Sequence, residues 1–369
     1  MNTTTILNTD DADLVVNTIL RVMDDILEKA STEEPSRGHL GMSQIGHEDA
    51  RTLWFKFRWS MPDELKARTL RIFRLGNLVE DETATLLRLI PGLELHTDQD
   101  GKQFSFHALG GHFSGSMDGC LVGIPEAPKT WHVWEAKSAK DKKFKELIKA
   151  GSIKKWNKTY WTQAQCYMGV SGMPRCLFTV YNKDTSEIFS ERIRLDKTIW
   201  PAMVAHAERI ISADEPPKSS YPNREFYKVR FMTDLQQAIY WGDRLPEPNC
   251  RNCRFSTPIL EGEDARWHCS RENNLLSLKQ QRAGCQSHNW LPALVPARPV
   301  KIYPDFIIYE TSDGLQFSNV DDDATASVDS YVFSSWELTH LSQWELTAKT
   351  LTTAMAELRK PSFEDDIPF

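Results

Sequence analysis

Apolar residues recur at helical spacing through residues 11–31 (DADLVVNTILRVMDDILEKAS), behind an Asp-rich start, and predict an amphipathic helix. Glu34 to Gly41 carries Pro and Gly and reads as a loop. A long helix is predicted from Pro62 to Leu89. The pattern then shortens to strand-like runs. Gln103–Leu109 and His112–Asp118 flank Gly110-Gly111, a hairpin signal, and the run WHVWEAK follows a Pro-containing turn over Ile124–Thr130. A helix should follow, then strands over Arg175–Asn182 and Glu187–Leu195 about a Lys183–Ser186 turn, then a helix over Ile199–Ser212. Asp214–Arg224 reads as a linker and Phe226–Trp241 as a further helix. Past Pro292–Pro299, Asp305–Val320 reads as a hairpin about Ser312-Asp313-Gly314, and Ser334–Arg359 as a capped helix stopped by Lys360-Pro361.

This order of helix, strands, helix and strand predicts an α/β (α+β) fold with a mixed central sheet flanked by helices. The boundaries divide the chain into an N-terminal helix and loop (1–40), a core (41–213), a linker with a cysteine-rich module (214–298), a C-terminal hairpin and helix (299–360) and an acidic tail (361–369). With 369 residues the chain can bury a sizeable core, and 40% hydrophobic against 26% charged residues is globular composition. No apolar run reaches the roughly 18 residues of a membrane span. The N-terminus lacks the basic and apolar regions of a secretory signal, so a cytoplasmic location and no membrane partner are expected.

Chemistry concentrates between Gly111 and Tyr167. Asp118 falls at the end of one predicted strand and Glu135-Ala136-Lys137 at the end of its neighbour, which sets two carboxylates side by side. Period-two alternation places Glu135 and Lys137 on one face and Ala136 on the other. Gln163 and Tyr167, four apart, share a helix face. The plainer alternative makes Glu135 and Lys137 a surface ion pair, yet facing carboxylates repel unless a cation intervenes. Phosphodiester cleavage needs divalent cations held by two or three converging carboxylates, and a nearby ammonium can orient water or stabilise developing charge.

Net charge is −7, but charge is segregated: nine lysines stand against two acids between Lys137 and Lys158. Such a segment, carrying Trp156, Tyr160 and Trp161, could track a phosphate backbone through Lys142, Lys143, Lys154 and Lys155 while aromatics stack on bases. Arg68, Arg71 and Arg74 share a helix flank, for DNA phosphates or for neighbouring acids. Within the module, Cys250-x2-Cys253-x15-Cys269-x15-Cys285 has metal-site spacing, with His268 and His288 as substitute ligands. Cys120, Cys166 and Cys176 lie in apolar surroundings and read as buried thiols.

The segment resembles the PD-(D/E)XK nuclease superfamily, in its RecB-like and lambda-exonuclease-like branch. The resemblance covers roughly residues 40–195 and rests on five ordered elements: Ser43-Gln44-Ile45-Gly46 with Arg51 and Trp54, Gly76–Glu80, Asp118, Glu135-Ala136-Lys137 and Gln163-x-x-x-Tyr167. It implies a restriction-endonuclease-like core and a Mg2+- (or Mn2+-) dependent DNA exonuclease acting in recombination, repair or phage DNA processing. Glu80, Asp118 and Glu135 would be its metal ligands, Lys137 would position the water, Gln163 and Tyr167 would fix the strand or the lysine, and Arg51 and Arg74 would join the DNA contacts. Related nucleases close an iron–sulfur cluster with an N-terminal cysteine, but here Asp49-Ala50-Arg51 stands where Cys-Pro-Arg is expected. That favours a structural zinc ion over an iron–sulfur cluster at the four cysteines. The ending Asp365-Asp366-Ile367-Pro368-Phe369 resembles the acidic tip of bacterial single-stranded-DNA-binding proteins, which implies docking to proteins that bind that tip. A non-catalytic DNA-binding adaptor or inhibitor and a CRISPR-adaptation-type nuclease stay as alternatives, and oligomeric state is open.

Overall fold

A computed structural model describes residues 18–33, 37–62, 65–320, 331–342 and 345–358 of the chain. The chain enters through helix α1 (Thr18–Glu33), strand β1 (Leu40–Gly41) and helices α2 (Ala50–Phe57) and α3 (Ala67–Arg88). The α3 start is later than the pattern predicts, because Lys66 is extended and forms its N-cap. Strand β2 (Glu94–His96) and a two-residue ribbon, β3 (Asp98–Gln99) with β4 (Lys102–Gln103), lead to β5 (Ser105–Ala108) and β6 (Phe113–Ser116). The last two pair antiparallel across Gly110-Gly111, both at positive φ (64° and 88°), which explains the glycine pair.

Next come β7 (Gly119–Val122), β8 (His132–Ala139), helices α4 (Asp141–Ala150), α5 (Ile153–Trp156) and α6 (Lys158–Ser171), strands β9 (Arg175–Asn182) and β10 (Ile188–Arg194), and helix α7 (Ile199–Ser212). Together with β2 these strands form a five-stranded mixed sheet in the order β10-β9-β8-β7-β2. Only β8 and β9 run parallel, the crossover between them being α4–α6. Alternation along β8 explains the layering. Trp134 and Ala136 pack with Leu121, Leu177 and Ala84 of α3 on one face. On the other face Val133, Ala139, Phe178 and Val180 meet Ala164, Tyr167 and Met168 of α6.

Residues 214–224 have no regular structure, yet they are not a loose linker. The Ser220 N–H donates to Asp49 Oδ1 (2.8 Å) and Arg58 Nη2 lies 3.5 Å from Asp214. The helix expected over 226–241 is interrupted: a single 3-10 turn (Val229–Phe231) precedes α8 (Asp234–Trp241), whose Thr233–Gln236 capping box starts it late. Strands β11 (Ser256–Pro258), β12 (Trp267–Cys269) and β13 (Asn274–Leu276) with α9 (Leu278–Ala283) make the cysteine-rich module. A four-stranded sheet of β14 (Arg298–Ile302), β15 (Ile307–Glu310), β16 (Gln316–Asn319) and β17 (Tyr331–Phe333) follows, containing the expected hairpin. The final helix is split into α10 (Ser335–Leu341) and α11 (Ala348–Leu358). Both later units share one core with the sheet, a cluster running from Leu40 and Trp54 through Trp267 and Trp290 to Phe333 and Leu351. Among the described residues no helix is long and apolar enough to cross a membrane. The acidic tip, Asp365–Phe369, lies outside the described residues.

Candidate active site

The β6–β7 link and β8 meet α6 near its middle, at Gln163, and α3 brings Glu80 within electrostatic reach. Gly119 pairs with Trp134, so Asp118, one residue earlier on the β6–β7 link, stands level with Glu135 in the middle of β8 rather than at a strand end. Asp118 Oδ2 accepts the Ala136 N–H at 2.8 Å. Glu135 is fully buried beneath α6, where its Oε1 accepts from Gln163 Nε2 at 2.5 Å and from the Lys137 ammonium. Lys137 Nζ also donates to the Ala136 carbonyl (2.9 Å), lies 3.8 Å from Asp118 Oδ2, and sits 5.8 Å from the Tyr160 ring. Buried Gln163 and Tyr167 line the same recess from one face of α6. A Cβ at Gly115 would stand 2.9 Å from the Tyr167 hydroxyl, so β6 can approach Tyr167 only with glycine there.

Electrostatics tie Glu80 of α3 into the same group. Burial first, then Asp118, raises its carboxyl to about 7, while Lys137 opposes the rise. Glu135 is raised to about 8 by burial, then by Asp118, again against Lys137. Burial alone would lower the Lys137 ammonium, but Glu135 and Asp118 hold it above its ordinary value. Tyr167 is raised by burial and then by the two carboxylates. Three acids thus repel one another around one ammonium. Glu135 Oε2 is buried without a partner. An all-oxygen set of carboxylates and the Ala136 carbonyl suits a hard divalent cation, and the orphaned oxygen gives such an ion a reason to bind. Among the described residues no three of His, Cys, Asp and Glu are drawn in as closely as the ligands of one ion.

A recess of about 340 Å3 opens beside Gln163 and Tyr167, lined by Arg37, His39, Ser43, His107 and Ser114. Burial and then Arg37 lower His39 to about 4, so it is neutral at pH 7. Except for Ser43, sequence reasoning missed these residues. A weak signal existed in β5, where polar Ser105 and His107 alternate with Phe106 and Ala108.

The expected DNA contacts scatter. Arg51 turns inward: its Nε donates to the Tyr240 carbonyl (2.9 Å), its Nη1 to that of Pro217 (3.2 Å), and its guanidinium stacks on Phe55 and Tyr240. Arg71 pairs with Asp24 of α1, while Arg68 and Arg74 are exposed on α3. Lys142 and Lys155 are exposed and Lys143 pairs with Glu146 at 2.7 Å. Lys154 sits 4.4 Å over the ring of Trp161, which is only 8% exposed and faces the core rather than an incoming base.

Cys250 lies within electrostatic reach of Cys253, Cys269 and Cys285. Burial and then its three companions raise Cys250 to about 12. Cys253 bridges Trp290, Cys269 pairs with Ser256, and Cys250 Sγ lies 3.3 Å from the Gln280 carbonyl. His288 is fully buried with Nε2 2.9 Å from Asn252 Oδ1 and Nδ1 without a partner, and burial lowers it to about 3. Cys120, Cys166 and Cys176 are buried, each raised by desolvation.

No family model matches this sequence, and no curated protein does. Among solved structures, an alkaline exonuclease from Laribacter hongkongensis is similar at 15% identity and a TM-score of 0.36, over 50% of this chain and 90% of that one. The same exonuclease in complex with dAMP gives 17% identity and a TM-score of 0.36, over 47% of this chain and 86% of that one.

Proposed function

We propose that this chain is a divalent-metal-dependent deoxyribonuclease that degrades linear DNA from an end. One observation carries the reading: Asp118 and Glu135 flank the Lys137 ammonium, Glu80 stands within electrostatic reach of both Asp118 and Lys137, and Glu135 Oε2 is buried and unbonded. Glu80, Asp118 and Glu135 would hold Mg2+ (or Mn2+), with the Ala136 carbonyl beside them. Bound there, the ion would supply charge neutralisation at the scissile phosphate and a water of lowered pKa. The protein's own groups do the rest. Lys137, fixed between Glu135 and Asp118, orients the attacking water and meets negative charge developing on the phosphate. Gln163 holds Glu135 in place, so α6 sets the carboxylate's position. The recess beside Tyr167, polar and carrying Arg37, suits a chain end bearing a phosphate better than an uninterrupted duplex.

Two finer parts belong to the same reading. The four cysteines would hold a structural zinc ion, since four thiolates leave no open position for catalysis. The Asp365–Phe369 tip would dock to proteins that bind the tip of single-stranded-DNA-binding protein, through its aromatic end, its carboxylate and its aspartates.

End-labelled linear DNA and its circular counterpart, incubated with and without Mg2+, test the reading. Linear substrate should shorten only with the ion, and circular DNA should persist. Asp118→Ala and Lys137→Ala should each abolish digestion, by a factor of at least about 1,000, with an unchanged circular dichroism spectrum. Undiminished digestion by either variant removes the assignment.

A further inference from the structure

A second hollow lies near the site, apart from the recess at Tyr167. It lies on the neighbouring face of α6, where α6 and α7 diverge beneath the 45–48 segment, and it measures about 620 Å3. Ligand clefts span roughly 300 to 1,000 Å3, so the space suits one small molecule or one unit of a polymer. Three cations line it, Lys158, Arg209 and Lys228, against the single carboxylate of Glu48. Glu48 neutralises Lys228 at 2.5 Å. Among the described residues neither Lys158 nor Arg209 has an acidic partner; Arg209 approaches only the His206 ring, at 3.5 Å. Trp156 and Met203 add an apolar wall, and Thr159 and Thr162 place hydroxyl-bearing side chains along it. The Trp156 ring is held 5.8 Å from that of Tyr160, which in turn faces Lys137.

The geometry points to a second nucleotide site, a pocket that takes one deoxynucleoside monophosphate unit with its phosphate between Lys158 and Arg209 and its base against Trp156. A cation excess in a concave hollow asks for an anion, and a flat aromatic beside it asks for a flat partner. A nucleotide offers both. This rests on the deoxyribonuclease reading for its choice of ligand. Thr159 and Thr162 lie within one turn of Gln163 on α6, so the pocket and the carboxylates share a helix. The same chemistry could arrive as a released mononucleotide or as one link of a strand leaving the site.

Calorimetric titration of the full chain in Mg2+-free buffer without chelator separates these, because binding is read where hydrolysis cannot occur. The probes are thymidine 5′-monophosphate and a short oligothymidylate. Saturable binding is expected, weakened roughly ten-fold by each of Trp156→Leu, Arg209→Ala and Lys158→Ala. Equal affinity for both probes identifies the free product, and preference for the oligomer identifies a strand. Affinities unchanged in all three variants, or no binding by the unaltered chain, overturn the proposal. Failure of the nuclease reading would show separately, as absent Mg2+-dependent digestion with this binding intact.

Discussion

Glu135 and Glu80 hold protons in a range where ordinary glutamates have lost them. Their carboxyls are raised from 4.5 to about 8 and about 7. A raised acid binds more protons folded than unfolded, so its contribution to stability is fully present below 4.5 and is lost as pH rises through the folded value. His39 and His112, both lowered to about 4, act oppositely and favour the fold as pH rises toward 6.5. Above 6.5 the glutamates alone of these four change. Metal-free protein should therefore lose thermal stability between pH 6.5 and 8, and Glu135→Gln should flatten that fall. Mg2+ should raise the melting temperature more at pH 8 than at pH 6, since the ion competes with protons for the same oxygens. Differential scanning fluorimetry at several pH values checks both. At this scale the sequence was informative where residues lie two or four apart: the Glu135–Lys137 contact and the shared face of Gln163 and Tyr167 follow from periodicity. It was silent on Arg37, His39 and His107, which meet only because β1 pairs parallel with β6 across a long separation.

At the level of elements, the 41–49 segment shows how a loop is fixed on a helix. A Cβ at Gly46 would stand 2.9 Å from both Thr159 Cα and Thr162 Cβ, so the segment lies on α6 only with glycine there. Three residues on, Asp49 is fully buried: one oxygen accepts from Thr52 N (2.8 Å), Thr52 Oγ1 (2.7 Å) and the Tyr240 hydroxyl (3.1 Å), the other from Ser220 N. The Asp49 carboxylate thereby ties α2 to residues 220 and 240 by hydrogen bonds. Asp49→Ala strands several buried donors and should destabilise the chain by about 3 kcal/mol, measured by urea unfolding. Strand β9 and helix α7 have the bounds that pattern and turn residues predict. Residues 214–224 did not follow their Pro- and Ser-rich composition, because composition carries no information about a partner as distant in sequence as Asp49. The C-terminal helix broke for a related reason: Ser342 caps α10 and turns its hydroxyl to the Leu245 N–H, an interaction 97 residues long in sequence.

Across the whole molecule, two buried guanidinium groups join the cysteine-rich module to α2 and to the segment before β1. Arg251 donates to the carbonyls of Phe57 (3.1 Å) and Gly38 (3.1 Å) and to Gln281 Oε1, and Arg58 donates back to the Arg251 carbonyl (2.9 Å). The Arg251 guanidinium also lies 3.6 Å from the Trp59 ring centroid. Arg251→Ala should lower the unfolding free energy by about 3 kcal/mol and the loss should register as one cooperative transition, not two. If zinc fills the module, chelation should likewise lower the melting temperature of the unaltered chain but not of Cys250→Ser. None of this brace was legible, because long polar side chains read as surface until their partners are known. It bears on anyone wishing to miniaturise the protein. A gene cut after codon 213 would keep every residue proposed to act in DNA cleavage, yet leave Trp54, Phe57 and Arg58 stripped of their cover. Its product should collect in inclusion bodies, and a smaller catalyst would have to be sought by trimming loops instead of domains.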